Sequence, residues 1–185
     1  MSRKPADPAQ PQVFGLHHAA FRCRDAMETC GFYEGVLGFP LTQALDIDRH
    51  PTTGEPVEYM HVFFDIGSHD PASPNYIAFF EVRSRTGGDP DFEFKTQWGM
   101  DLHFAMTVDS HADLAAWRER LLKRGVEVEG PIDHGICTSI YFHDPNGYRL
   151  EFSAQNAKEH AAFGENRSRA HQALHRWSEQ ASDSR

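Results

Sequence analysis

Cysteine is scarce in this chain and shows no pattern. Cys23, Cys30 and Cys137 are odd in number and form no CxxC pair. A disulfide scaffold is therefore not expected, and a reducing, cytoplasmic setting is. Basic runs are also missing: 18 Lys and Arg stand against 27 Asp and Glu, for a formal net charge of −9. That argues against a nucleic-acid backbone or an anionic membrane as partner. No apolar run approaches the length of a membrane span, and no secretory h-region opens the sequence. What is present is material for a core. At 185 residues, 39% hydrophobic and with 14 Phe, the chain reads as one domain or a compact pair of similar modules. Its 12 His exceed what surface composition needs, so a few are candidate metal ligands.

Residues 1–13 hold three Pro and scattered charge and read as a flexible N-terminal arm. Residues 16–23 (LHHAAFRC) alternate, with His18, Ala20 and Arg22 on one face and His17, Ala19, Phe21 and Cys23 on the other. By that parity His17 is a packing residue. Asp25 caps a helix predicted to run to about Leu37, where Gly38 stops it. A short strand at 39–43, a polar loop at 46–56, a strand at 57–66 and a turn-rich loop at 67–74 follow. The apolar strand 76–82 (YIAFFEV) carries Glu81. After a connector at 83–100 the order repeats. Residues 102–108 (LHFAMTV) form a strand with His103, and Asp109 or Ser110 caps a helix that ends at Arg124 and Gly125. Strands at 126–128, 139–142 and 148–152 complete the second half. The last two are joined by Asp144-Pro145-Asn146-Gly147, where Pro145 presets φ, Asn146 tolerates unusual dihedrals and Gly147 takes positive φ. Residues 156–185 are polar, with Ala170, Leu174, Trp177 and Ala181 at helical spacing, and read as a C-terminal helical tail.

The chain thus repeats strand, helix, strand, strand, strand. The expected fold class is α+β: two βαβββ modules, about 14–83 and 101–153, forming a cup-shaped mixed sheet with helices outside. Each module pairs a strand-borne His (His18, His103) with a last-strand carboxylate (Glu81, Glu151) on the face away from the helix. A mid-strand Glu is ordinarily a solvated side chain, and a single His ordinarily a structural one. The repeated pattern makes His18, His103 and Glu151 candidate ligands of a divalent ion. Glu81, at its strand's end, could instead pair with Arg83 or Arg85. Two His and one carboxylate with open positions is a set used by non-haem iron enzymes.

The stretches LHHAAFRCRDAMETCGFYEGVLGFPL, YIAFFEV, LHFAMTV and SIYFHDPNGYRLEF resemble the vicinal oxygen chelate superfamily over residues 15–153. That group includes glyoxalase I, fosfomycin- and bleomycin-resistance proteins and extradiol ring-cleaving dioxygenases. The resemblance implies paired βαβββ modules, a divalent ion chelated by vicinal oxygens of a small-molecule substrate, and a homodimer. Glyoxalase-like members use four ligands, which His18, Glu81, His103 and Glu151 could supply, although their first Glu sits earlier in the strand, where Ala78 stands. Extradiol-like members use two His and one Glu, matching His18, His103 and Glu151. They also carry an active-site Tyr ten residues before that Glu, where Tyr141 stands, and in several a His shortly upstream, as His134 is here. Their further acid–base His finds no counterpart in 76–101, which leaves His61 or His69 for the role. The expected activity is that of a metal-dependent dioxygenase on a catechol or other vicinal diol, with Tyr141 and His134 catalytic. Fe(II) is the expected ion, with Mn(II), Ni(II) and Zn(II) as alternatives. A glyoxalase-like lyase or isomerase and a non-catalytic antibiotic-binding protein are the competing readings.

Overall fold

Alternating side chains and two capped helices build the same unit twice. The computed structural model describes residues 16–50, 52–68, 75–83 and 102–156. The chain divides into two units, Met1–Glu93 and Phe94–Arg185. The expected arm at 1–13, the helical reading of Ala170, Leu174, Trp177 and Ala181, and His69 lie outside the described residues.

In the first unit β1 (His18–Arg22) leads into α1 (Ala26–Cys30), which continues as a π-helical segment, Gly31–Leu37. Asp25 caps α1, its side chain accepting from the Glu28 N–H at 2.8 Å. Gly38, at φ 80°, ends the helical run as the sequence leads one to expect. Strands β2 (Leu41–Arg49), β3 (Pro56–Asp65) and β4 (Tyr76–Arg83) follow. The sheet order is β1-β4-β3-β2, with β1 parallel to β4 and the other pairs antiparallel. Tyr33, Phe64, Phe79, Ile77 and Leu37 form the core between the helical run and one sheet face. Tyr33 stacks on Phe64 with ring centroids 5.3 Å apart.

The second unit has β5 (His103–Val108), α2 (His111–Lys123), β6 (Glu129–Asp133), β7 (Cys137–His143) and β8 (Arg149–Gln155), in the order β5-β8-β7-β6. Ser110 is the α2 cap, accepting from the Asp113 N–H. Leu121 of α2 is buried against Ile140, Phe142, Leu150 and Phe152 of the sheet's core, and the Trp117 ring lies 4.7 Å from that of Phe152. Two βαβββ modules, each an open four-stranded mixed sheet, therefore stand as expected. Among the described residues no helix is long and apolar enough to cross a membrane.

Two strands depart from the sequence reading. β2 runs on to Arg49 through residues assigned by composition to a loop, because its ladder to β3 pairs Asp46 with Met60 and Ile47 with Tyr59. An edge strand tolerates such polar side chains. The strand expected at 126–128 instead begins at Glu129. Gly130 and Pro131 sit inside it, with a register shift between Glu129 and Ile132. Gly130 has φ 99°, and a Cβ there would lie 2.7 Å from the Ser139 carbonyl oxygen, so only glycine fits.

The turn between β7 and β8 is held by its aspartate. Asp144 Oδ1 accepts from the backbone N–H groups of Asn146 and Tyr148, each at 2.9 Å. Gly147 takes φ 92°, while no other residue type among those described has positive φ. Asn146 contributes through burial, at 1% exposure, rather than through an unusual dihedral.

Candidate metal centre

Register decides which side chains share a face. In the second unit His103 pairs with Arg149, Ala105 with Glu151, and Tyr141 with Glu151. Directly paired residues point the same way. His103, Glu151, Tyr141, Ser139 and Arg149 therefore occupy the sheet face opposite the Phe142 and Phe152 core.

On that face His103 Nε2 lies 3.0 Å from Glu151 Oε2. Glu151 is 6% exposed, which is unusual for a carboxylate unless it is paired. The separation suits a metal. Two donors each about 2.1 Å from one ion and at right angles to each other stand about 3.0 Å apart. An imidazole and a carboxylate also suit the divalent ions of the first transition row. By geometry and chemistry, then, the pair fits such an ion. Among the described residues no group of three His, Cys, Asp or Glu is gathered.

Beside the pair is a phenol. Tyr141 Oη is 2.8 Å from His134 Nε2. The Tyr141 and His103 rings meet edge-on at 6.1 Å. Burial, and after it the charge of Glu151, push the Tyr141 phenol above its usual pKa, while Ser139 and Arg149 act in the opposite sense. Tyr141 therefore remains a protonated hydrogen-bond donor at neutral pH. His134 is exposed and connects the buried phenol to solvent.

The first unit uses the same frame differently. His18 opens β1 as His103 opens β5, and its partner on β4 is Tyr76. Ala20 pairs with Ala78 where Ala105 pairs with Glu151, so Ala78 holds the position equivalent to Glu151. Phe63, opposite Ala78, likewise stands where Tyr141 stands. Glu81 is three residues further on and on the other face. Its Oε2 accepts from the Ala26 N–H at 2.8 Å, at the start of α1. Counting alternation within YIAFFEV did not reveal this, because that strand is apolar on both faces. His61 shares the His18 face, stacked on Phe80 with centroids 3.6 Å apart, and its buried Nε2 has no hydrogen-bond partner among the described residues. His17, expected to pack, is exposed, with its Nδ1 2.8 Å from that of His18.

A groove of about 630 Å³ lies on the opposite side of the second sheet, against α2, lined by Leu114, Leu122, Pro131 and Ile140 among others. None of the candidate ligands lines it. Alternation along 148–152 already puts Arg149 on the Glu151 face, and the strand register adds Ser139, which pairs with Ser153 there.

The family model described as Glyoxalase/Bleomycin resistance protein/Dioxygenase superfamily matches residues 15–152. The chain belongs to this superfamily. Among its relatives is lactoylglutathione lyase of Haemophilus influenzae, 30% identical over 138 residues, 73% of this chain and 88% of that protein. Biphenyl-2,3-diol 1,2-dioxygenase 2 of Rhodococcus globerulus is 41% identical over 54 residues. That match spans 29% of this chain and only 28% of the dioxygenase's length. A solved glyoxylase/bleomycin resistance protein/dioxygenase domain from a Frankia species superposes with a TM-score of 0.56 at 22% identity, covering 78% of this chain and 100% of that one, a likeness of fold. Members of the superfamily are mostly enzymes, and they generally use a divalent metal.

Proposed function

We propose that the protein is a divalent-metal-dependent dioxygenase acting on a catechol or another vicinal diol. The observation that carries this reading is Ala78. With alanine at the position equivalent to Glu151, the first module contributes a histidine and no carboxylate at the matching places, which supports a set of two histidines and one carboxylate over a set of two of each. In this reading His103 and Glu151 hold the ion with His18, from this chain or from a second copy, and Glu81 is left out. Fe(II) is the preferred ion, with Mn(II), Ni(II) and Zn(II) as alternatives. When bound, such an ion supplies Lewis acidity that favours the ionised diol and, as iron, the redox chemistry that oxygen requires.

The chain's own residues then have defined tasks. Glu151 and His103 fix one edge of the site. Tyr141 is protonated at rest and donates to a substrate oxygen, and His134, in hydrogen-bond contact with the phenol, restores from solvent a proton that the phenol gives up. The same reading takes the working form to be a cytoplasmic homodimer.

A glyoxalase-like lyase is the second reading, favoured by the length over which the chain matches the Haemophilus protein. Protein purified without a chelating tag distinguishes the two. It should contain iron and consume oxygen with some member of a catechol panel. Glu151→Ala should lower bound metal by at least about tenfold, since even residues supporting a ligand change affinity by 10–100-fold. Iron-replete protein that consumes no oxygen with any catechol, but turns over a glutathione hemithioacetal with Ni(II) or Zn(II), would overturn the dioxygenase reading in favour of the lyase. Metal-free protein that binds a small aromatic equally well after His18→Ala and Glu151→Ala would point to a binding protein.

A further inference from the structure

Tyr141 lies beneath a strap. Its strand, β7, has β8 on one side and β6 on the other. Arg149 starts on β8, and its guanidinium carbon lies 4.3 Å from the centroid of the Tyr141 ring. On the far side Arg149 Nη2 donates to Glu129 Oε2 at 2.9 Å. Glu129 is the residue that pairs with Tyr141 across β6 and β7. One side chain thus reaches over the middle strand and is tied down on the third.

We propose that Arg149, tied down by Glu129, is a positioning residue that holds the Tyr141 ring in the single orientation its hydroxyl needs. The proposal rests on the role given to Tyr141 above. The geometry supports it in three ways. First, a planar guanidinium lying on a phenol face restricts the ring, which a flexible ammonium does less well. Second, the Arg149 side chain is only 12% exposed and its buried Nε has no hydrogen-bond partner among the described residues. Its course is therefore set by the ring and by Glu129 rather than by a full set of acceptors, and a buried donor left without an acceptor is a cost to the fold. Third, the Glu129 side chain is 57% exposed, so the ion pair contributes little to stability, and its main consequence is where it places the guanidinium. The restrained hydroxyl has His134 Nε2 at 2.8 Å. A ring free to turn about χ1 would populate rotamers in which that contact is lost.

The test uses the metal-free full chain, isotope-labelled, with Tyr141→Phe to assign the Tyr141 signals. Three-bond couplings to Cγ report the χ1 populations of each of the five tyrosines. Tyr141 should occupy one rotamer in the native chain and average over two or more in Arg149→Met. Glu129→Gln, a surface change that leaves the core intact, should loosen the ring part-way, and Arg149→Lys should restore it in part. With iron and an accepted diol, Arg149→Met should lower kcat about tenfold with KM unchanged, a fraction of the 10²–10⁴-fold that a positioned proton donor supplies. A single Tyr141 rotamer retained in both Arg149→Met and Glu129→Gln would overturn the proposal, as would an averaged ring with unchanged kcat. If the native chain turns over no diol, the proposed function fails, and the couplings alone decide whether Arg149 positions Tyr141.

Discussion

His61 illustrates how one buried atom makes stability depend on pH. Its imidazole is stacked on Phe80 and touches Phe63 at 4.2 Å between centroids. Burial, and then the charge of His18, lower its pKa from 6.5 to about 4. The unfolded chain therefore takes up this proton near pH 6.5, and the folded chain only near pH 4. The folded state keeps its full advantage above pH 6.5 and loses it progressively as pH falls through that window. His61→Phe should remove this part of the acid sensitivity. Urea midpoints at pH 7 and pH 4.5 should differ less for the variant than for the native chain, and an equal difference would show that His61 does not titrate as described. At this scale much of the candidate site could be read from the sequence. His103, Glu151, Tyr141 and His134 are singled out by spacing and resemblance; the structure puts the first three on one sheet face and brings His134, in the loop after β6, to the Tyr141 hydroxyl. What could not be read was which face Glu81 takes, because its strand buries apolar residues on both sides and only the pairing of Ala20 with Ala78 reveals the parity.

Among the elements, the turn at 144–147 carries most of the local information. Its aspartate accepts two backbone N–H groups while being only 5% exposed. Asp144→Ala would leave both donors without their acceptor in a buried place. We expect a loss of about 2–4 kcal/mol, given that hydrogen bonds to charged groups contribute about 1.5–3 kcal/mol each and overlap here. Urea denaturation monitored by far-ultraviolet circular dichroism measures it, and a loss below about 0.5 kcal/mol would place the turn's stability elsewhere. The helices were legible because their start and stop signals are local: Asp25 and Gly38 for the first, Ser110 and Gly125 for the second. The edge strands β2 and β6 were not. Asp46, Asp48 and Arg49 look like loop residues, and Gly130 and Pro131 look like a turn. Both segments are strands because a neighbouring strand supplies hydrogen bonds, and that cause is not local.

For the chain as a whole, the two modules share a frame while differing in chemistry. Both run strand, helix, strand, strand, strand with the same neighbour order, yet the carboxylate position holds alanine in one and glutamate in the other. The repeat gives duplicate places for side chains, and each copy fills them independently. The strand β6 has a further effect at this scale. It is one of the two outer strands of its sheet, and it is interrupted by a proline, a break in register and a glycine that tolerates no side chain. Pro131 has no N–H to donate, and Glu129 and Asp133 are exposed. Another chain arriving edge-on would find neither a continuous row of donors nor a neutral surface. Pro131→Val should restore the missing donor and raise the rate of concentration-dependent light scattering on mild warming several-fold, and an unchanged rate would show that something else guards this edge. The irregularity that hides β6 in the sequence is thus also one that makes this edge a poor template for a neighbouring molecule in a crowded solution.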